Sequence, residues 1–208
     1  MQIRIFDSFN MNELILFFSS LDFNWSIIET IAVILSVLYV ILATKQNIWC
    51  WAAAGISVAL YIYICFSAQL FAETGLQVFY LVMAFYGYYN WTKKEQDLQI
   101  TQWSAGKHLT LIITGAIITF LMGFYFATYT SAKMPIVDSF TTVFSVITTY
   151  MVTKKVLENW LYWIVIDVVS IYLYYNRELH LTSLLFLAYT IIAIFGYFMW
   201  LHKNTSDA

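Results

Sequence analysis

Seven stretches of about twenty mostly apolar residues, set close together along 208 residues, restrict this chain more than any other feature. A helix needs roughly 20 such residues to cross about 30 Å of hydrocarbon. The stretches near Trp25–Thr44, Asn47–Ser67, Glu73–Trp91, His108–Tyr129, Ile136–Thr153, Asn159–Asn176 and His180–Leu201 each meet that need. Charged residues are 11% of the chain, against about 25% in an average soluble domain. One proline and seven glycines leave long uninterrupted helices as the plain reading, an all-α membrane protein of seven transmembrane helices. The net charge of -2 leaves no basic surface for a nucleic-acid backbone.

Between the spans the chain is short of material. Residues 1–24 lack a charged start and a small-residue cleavage pattern, so they read as an amphipathic extracytoplasmic segment, not a removed signal. The segment Thr92–Lys107 is expected to sit wholly in water, and residues 202–208 form a short tail. Cys50 and Cys65 fall on one span, about 22 Å apart at 1.5 Å per residue, beyond the reach of a disulfide. Cationic loops are retained in the cytoplasm. Arg4, Lys133 and Arg177 lie on the N-terminal side, and Lys45, Lys93, Lys94, Lys107, Lys154, Lys155 and Lys203 on the other. The N-terminus is therefore expected outside and the C-terminus inside. Trp25, Trp49, Trp91, Tyr129 and Trp200, near span ends, are expected at the membrane–water interface.

Sliding the chain by 109 positions aligns Thr44–Trp91 with Thr153–Trp200 without a gap. The identical pairs include Thr44/Thr153, Lys45/Lys154, Trp51/Trp160, Tyr80/Tyr189, Gly87/Gly196 and Trp91/Trp200. The unit is three helices, residues 25–91 and 136–201. An odd unit needs one linking helix, within residues 92–135, for the second copy to share the first one's orientation. A three-plus-one-plus-three arrangement with parallel repeats and a site between the triplets follows, a transporter pattern more than an enzyme pattern.

Trp160, Trp163 and Asp167 stand at i, i+3 and i+7, one face of one helix. A mid-span carboxylate is costly unless it meets protein, water or a cation, so Asp167 is read as functional, the alternative being an acid held by a Tyr hydroxyl. Trp51, the repeat partner of Trp160, is either wall or packing. Gln77, with Tyr80 and its partner Tyr189, either meets a ligand or a neighbouring helix. Asn90 is a gate or a helix cap. Buried lysine for a Schiff base, facing histidines for haem, HExxH or CxxC spacing for a metal and a GxxxxGK[ST] loop for ATP do not occur, and no cofactor is expected. A membrane enzyme or scaffold stays as the remote alternative, although no second titratable group accompanies Asp167 at its depth.

The stretches YGYYNW, Tyr86–Trp91, and ENWLYWIVIDVVSIYLY, Glu158–Tyr174, resemble the PnuC-type vitamin transporters. That resemblance implies a bacterial inner-membrane facilitator for nicotinamide riboside or thiamine, with a fold like the SWEET sugar transporters, a homotrimeric assembly, no ATPase subunit, and trapping of substrate by phosphorylation after uptake. The family's sixth-helix pattern is similar to WxxWxxxN. Trp160 and Trp163 match it, while Asp167 replaces the Asn, a change the resemblance associates with thiamine. Both vitamins are flat aromatic cations, suited to an acid flanked by indoles.

Overall fold

The computed structural model describes residues 27–93 and 98–206. The segment 1–24, Arg4, Trp25 and Lys94, for which the sequence carries expectations, lie outside the described residues. Seven helices follow one another: α1 Ile27–Thr44, α2 Trp49–Ser67, α3 Phe71–Thr92, α4 Ala105–Tyr129, α5 Pro135–Thr153, α6 Asn159–Tyr175 and α7 His180–Ser206. Each coincides with an expected span to within a few residues. Pro135 opens α5 at a first-turn position, where its missing N–H is not needed.

Five of these helices, α1, α2, α4, α5 and α7, are long and apolar enough to cross a membrane. Of the other two, α6 is only 17 residues long and carries Asp167, and α3 carries Glu73, Gln77 and Asn90. Large apolar side chains such as Ile34, Phe85, Phe120, Phe124, Phe195 and Phe198 stand exposed on the outside of the bundle. Such a surface is unfavourable in water and ordinary in lipid, where helices satisfy their own backbone hydrogen bonds.

The 109-residue interval recurs in the backbone. Among the described residues, positive φ at non-glycine positions occurs at Gln46 (53°), Gln69 (60°), Lys155 (48°) and Glu178 (63°), which form the pairs 46/155 and 69/178. Each is the left-handed residue that ends a helix and lets the next N–H bond back to the last turn. Asn47 N donates to the Leu42 carbonyl at 3.0 Å and Val156 N to that of Met151 at 3.1 Å. Leu70 N donates to Cys65 at 2.9 Å and Leu179 N to Tyr174 at 3.0 Å. Both copies thus turn the chain by the same device at the same places.

Packing follows chain order within each triplet, α2 between α1 and α3, and α6 between α5 and α7. The triplets meet along two seams, α1 against α7 and α3 against α5. In each triplet a glycine admits a tryptophan: a Cβ on Gly87 would lie 2.4 Å from the Trp51 ring, and one on Gly196 2.8 Å from the Trp160 ring. Helix α4 packs mainly against α5, presenting Gly115, Thr119 and Gly123 at four-residue spacing, and His108 in its first turn reaches the Tyr162 hydroxyl of α6 at 3.0 Å.

Two expectations are corrected. The segment after α3 does not sit wholly in water: Ile100 is buried, and Thr101 forms an isolated bridge to Val156. Its backbone N–H donates to Lys155 at 3.0 Å and its carbonyl accepts from Leu157 N at 2.8 Å. The Trp103 backbone N–H also donates to Glu158 Oε2 at 3.3 Å, so the loop is docked by buried Ile100 together with hydrogen bonds to the segment between α5 and α6. Trp200 is not an interfacial ring either. It is fully buried, its indole N–H shared between the Ala43 and Thr44 carbonyls at 3.1 Å, while half-buried Trp91 packs against the same core. Trp49 and Tyr129 are exposed.

Candidate functional site

A cavity of about 420 Å³ lies between the two triplets. Seven of the eight residues singled out in the sequence line it: Trp51, Gln77, Tyr80, Trp160, Trp163, Asp167 and Tyr189. Asn90, two residues before the end of α3, is not among its lining residues.

Helix geometry explains the convergence. Trp160, Trp163 and Asp167 share the face of α6 turned inward, and Asp167 is the central residue of that helix. It is 3% exposed. No Lys or Arg is among the cavity-lining residues, so the carboxylate has no cation beside it on the wall. Four cations near helix ends have other partners: Arg177 is paired with Asp138 across the α5–α6 side of the bundle, Lys154 and Lys155 sit over Tyr86 and Trp91, and Lys107 over Trp103.

The indoles are held by packing. Trp51 meets Trp91 edge-on with ring centroids 5.2 Å apart, and Trp160 meets Trp200 likewise at 5.4 Å. These rings form the floor of the cavity near the first turns of α2 and α6. Toward the opposite end the wall runs to Tyr174, near the end of α6, and Thr182, in the first turn of α7. There Phe186 stacks on Tyr174 at 5.2 Å and meets Tyr189 edge-on at 5.8 Å.

Residues that the sequence reading passed over complete the wall, among them Ser36, Tyr39, Ser57, Tyr61, Ser145 and Thr149. Ser36 Oγ lies 2.5 Å from the Tyr189 hydroxyl, joining α1 to α7. On the other seam Tyr80 faces Ser145. Ser36 and Ser145 are themselves 109 positions apart, as are Tyr80 and Tyr189. Running the self-alignment upstream of Thr44 would have exposed both serines.

The wall is thus built from pairs. Some are alike, Ser36/Ser145, Trp51/Trp160, Tyr80/Tyr189 and Ala84/Ala193; others are not, Ala54/Trp163, Val58/Asp167 and Gln77/Phe186. The second triplet supplies the charge and the extra aromatic faces, the first a neutral amide. Such a chamber can hold a flat cation against Trp163 and Asp167 and hydrogen-bond its neutral portion.

A lipid-exposed helical bundle enclosing a chamber of this kind defines a multi-pass membrane transporter. The family model described as nicotinamide mononucleotide transporter matches residues 26–202, and the chain belongs to that family. It is 27% identical over 210 residues to the nicotinamide riboside transporter PnuC of Escherichia coli (strain K12), covering 88% of this chain and 87% of that protein. It is 22% identical to the riboflavin/roseoflavin transporter RibM of Streptomyces davaonensis, over 88% of each. A crystal structure of the vitamin B3 transporter PnuC superposes with a TM-score of 0.71 at 20% identity, covering 98% of this chain and 96% of the other. The chain is a transporter and not an enzyme.

Proposed function

We propose that this protein imports nicotinamide riboside across the bacterial inner membrane by facilitated diffusion, with downstream phosphorylation of the substrate as the driving sink. The observation that carries this reading is Asp167, buried at the centre of α6 on the wall of a chamber lined by Trp51, Trp160 and Trp163 and by no basic residue. A carboxyl group at that depth, with no basic residue on the chamber wall, is matched by a permanently cationic cargo, which would favour its charged form. The resemblance to nicotinamide riboside transporters supports the choice of cation. Thiamine is the second reading, favoured by Asp167 at the position where the family pattern has Asn.

The architecture is read as seven spans in a three-plus-one-plus-three order with like-oriented, SWEET-like repeats, N-terminus outside and C-terminus cytoplasmic. The paired turns and the two seams support it. The triplets rock about the chamber and expose it to each side in turn. The assembly is read as a homotrimer without an ATPase subunit. In the chamber Asp167 neutralises the cargo, Trp163 covers its ring, and Gln77 takes hydrogen bonds from its uncharged part. Asn90 is assigned to the cytoplasmic end of α3.

Equilibrium binding of nicotinamide riboside and thiamine, side by side, to the purified protein tests this. Saturable binding of nicotinamide riboside, tighter than thiamine, is the expected result; the reverse order selects the second reading, and binding of neither overturns both.

A further inference from the structure

The floor of the chamber is closed by a second layer of rings whose bonds cross between the triplets. Trp91 Nε1 on α3 donates to the Val152 carbonyl of α5 at 3.3 Å, and Trp200 Nε1 on α7 donates to the Ala43 and Thr44 carbonyls of α1 at 3.1 Å. Val152 and Ala43 are 109 positions apart, as are the two donors. One indole donor therefore crosses each seam, at equivalent places. The two rings also meet each other, with centroids 6.2 Å apart. Ile100, from the loop after α3, is buried in the same cluster, and the loop is pinned to the turn after α5 through Thr101.

We propose that Trp91 and Trp200 are the cytoplasmic gate of this transporter, latched shut across both seams by their indole N–H groups and backed by Ile100. The inference rests on the alternating-access reading. Release to the cytoplasm requires the end of α3 to part from α5 and the end of α7 from α1, and these bonds are what that movement must break. The carbonyls involved belong to the last turn of a helix, and those of Ala43 and Val152 also accept from the turn N–H groups of Gln46 and Lys155 at 3.0 Å, bonds that do not depend on the indoles. The latch can therefore open without disrupting either helix.

The test follows a reporter thiol, Val58→Cys on the chamber wall, in a background lacking the two native thiols (Cys50→Ala, Cys65→Ala). It is labelled with a membrane-impermeant maleimide in inside-out and right-side-out vesicles. Trp91→Phe with Trp200→Phe keeps aromatic packing and removes both donors. Each lost bond shifts a two-state equilibrium by a few-fold, so labelling from the cytoplasmic face is expected to rise about tenfold or more, without a rise from outside. Ile100→Ala, which leaves both indoles in place, is expected to give a smaller rise on the same face. A rise on neither face, on both equally, or only from outside overturns the gate. Labelling needs no substrate, so a failure to bind either vitamin sinks the functional reading while leaving this result to be judged alone.

Discussion

The two triplets share their turns and seams and differ in their walls. Gly87 admits Trp51 as Gly196 admits Trp160, and Gln46 turns the chain as Lys155 does. Yet where α6 carries Trp163 and Asp167, α2 carries Ala54 and Val58. Positions that set the approach of helices are kept in both copies because packed interfaces tolerate little change in volume. Among the positions facing the chamber, Ala54/Trp163, Val58/Asp167 and Gln77/Phe186 are released from that demand and diverge, as a cargo without twofold symmetry requires. The lesson is that the repeat marks the scaffold and its exceptions mark the site.

Breaking the shared part should have the largest effect. Gly87→Ala drives a Cβ into the Trp51 indole, whose ring is fixed between Gly87 and Trp91; overpacking is expected to cost about 3 kcal/mol or more, read as a lower unfolding midpoint in detergent. Gly196→Ala should do the same to a slightly smaller degree, since its contact is looser. Removing the difference between the walls should act on binding instead. Asp167→Asn is expected to weaken a cationic vitamin by about 10- to 100-fold, the loss of a charged contact, measured by titration calorimetry, with the unfolding midpoint not lowered. Trp163→Ala should weaken binding by about tenfold through loss of the cation–π face and buried area. Gln77→Leu, on the neutral side, should weaken it by only a few-fold, the worth of one neutral hydrogen bond. An effect of Gln77→Leu larger than that of Asp167→Asn would reverse the assignment of the two walls.

Much of this was legible before any coordinates. Apolar stretches translate directly into helices in lipid, and the offset of the repeat is carried by glycines, tryptophans and turn residues whose geometry is demanding. Trp160, Trp163 and Asp167 announced themselves because a charge within a span is rare. Ser36 and Ser145 did not: a hydroxyl on an apolar helix can bond its own backbone, as Ser36 also does to the Val33 carbonyl at 2.7 Å, so its presence alone does not mark a wall. Tyr39 and Tyr61 hide among the many aromatic residues of the spans. Trp91 and Trp200 misled for a related reason, since a tryptophan near a helix end serves equally as a membrane anchor or as a hydrogen-bonded plug. Ile100 was concealed by its polar neighbours, because a single apolar residue in a loop produces no periodic signal.

The central claim is that the chamber selects its cargo by charge, through Asp167. The most direct test compares binding of nicotinamide riboside with that of its dihydro form, which has nearly the same shape and no ring charge, in the wild-type protein and in Asp167→Asn. The account predicts that the wild type prefers the cation by about tenfold or more and that the substitution erases the preference. Equal binding of both forms by the wild type, or a preference that survives the substitution, would contradict it.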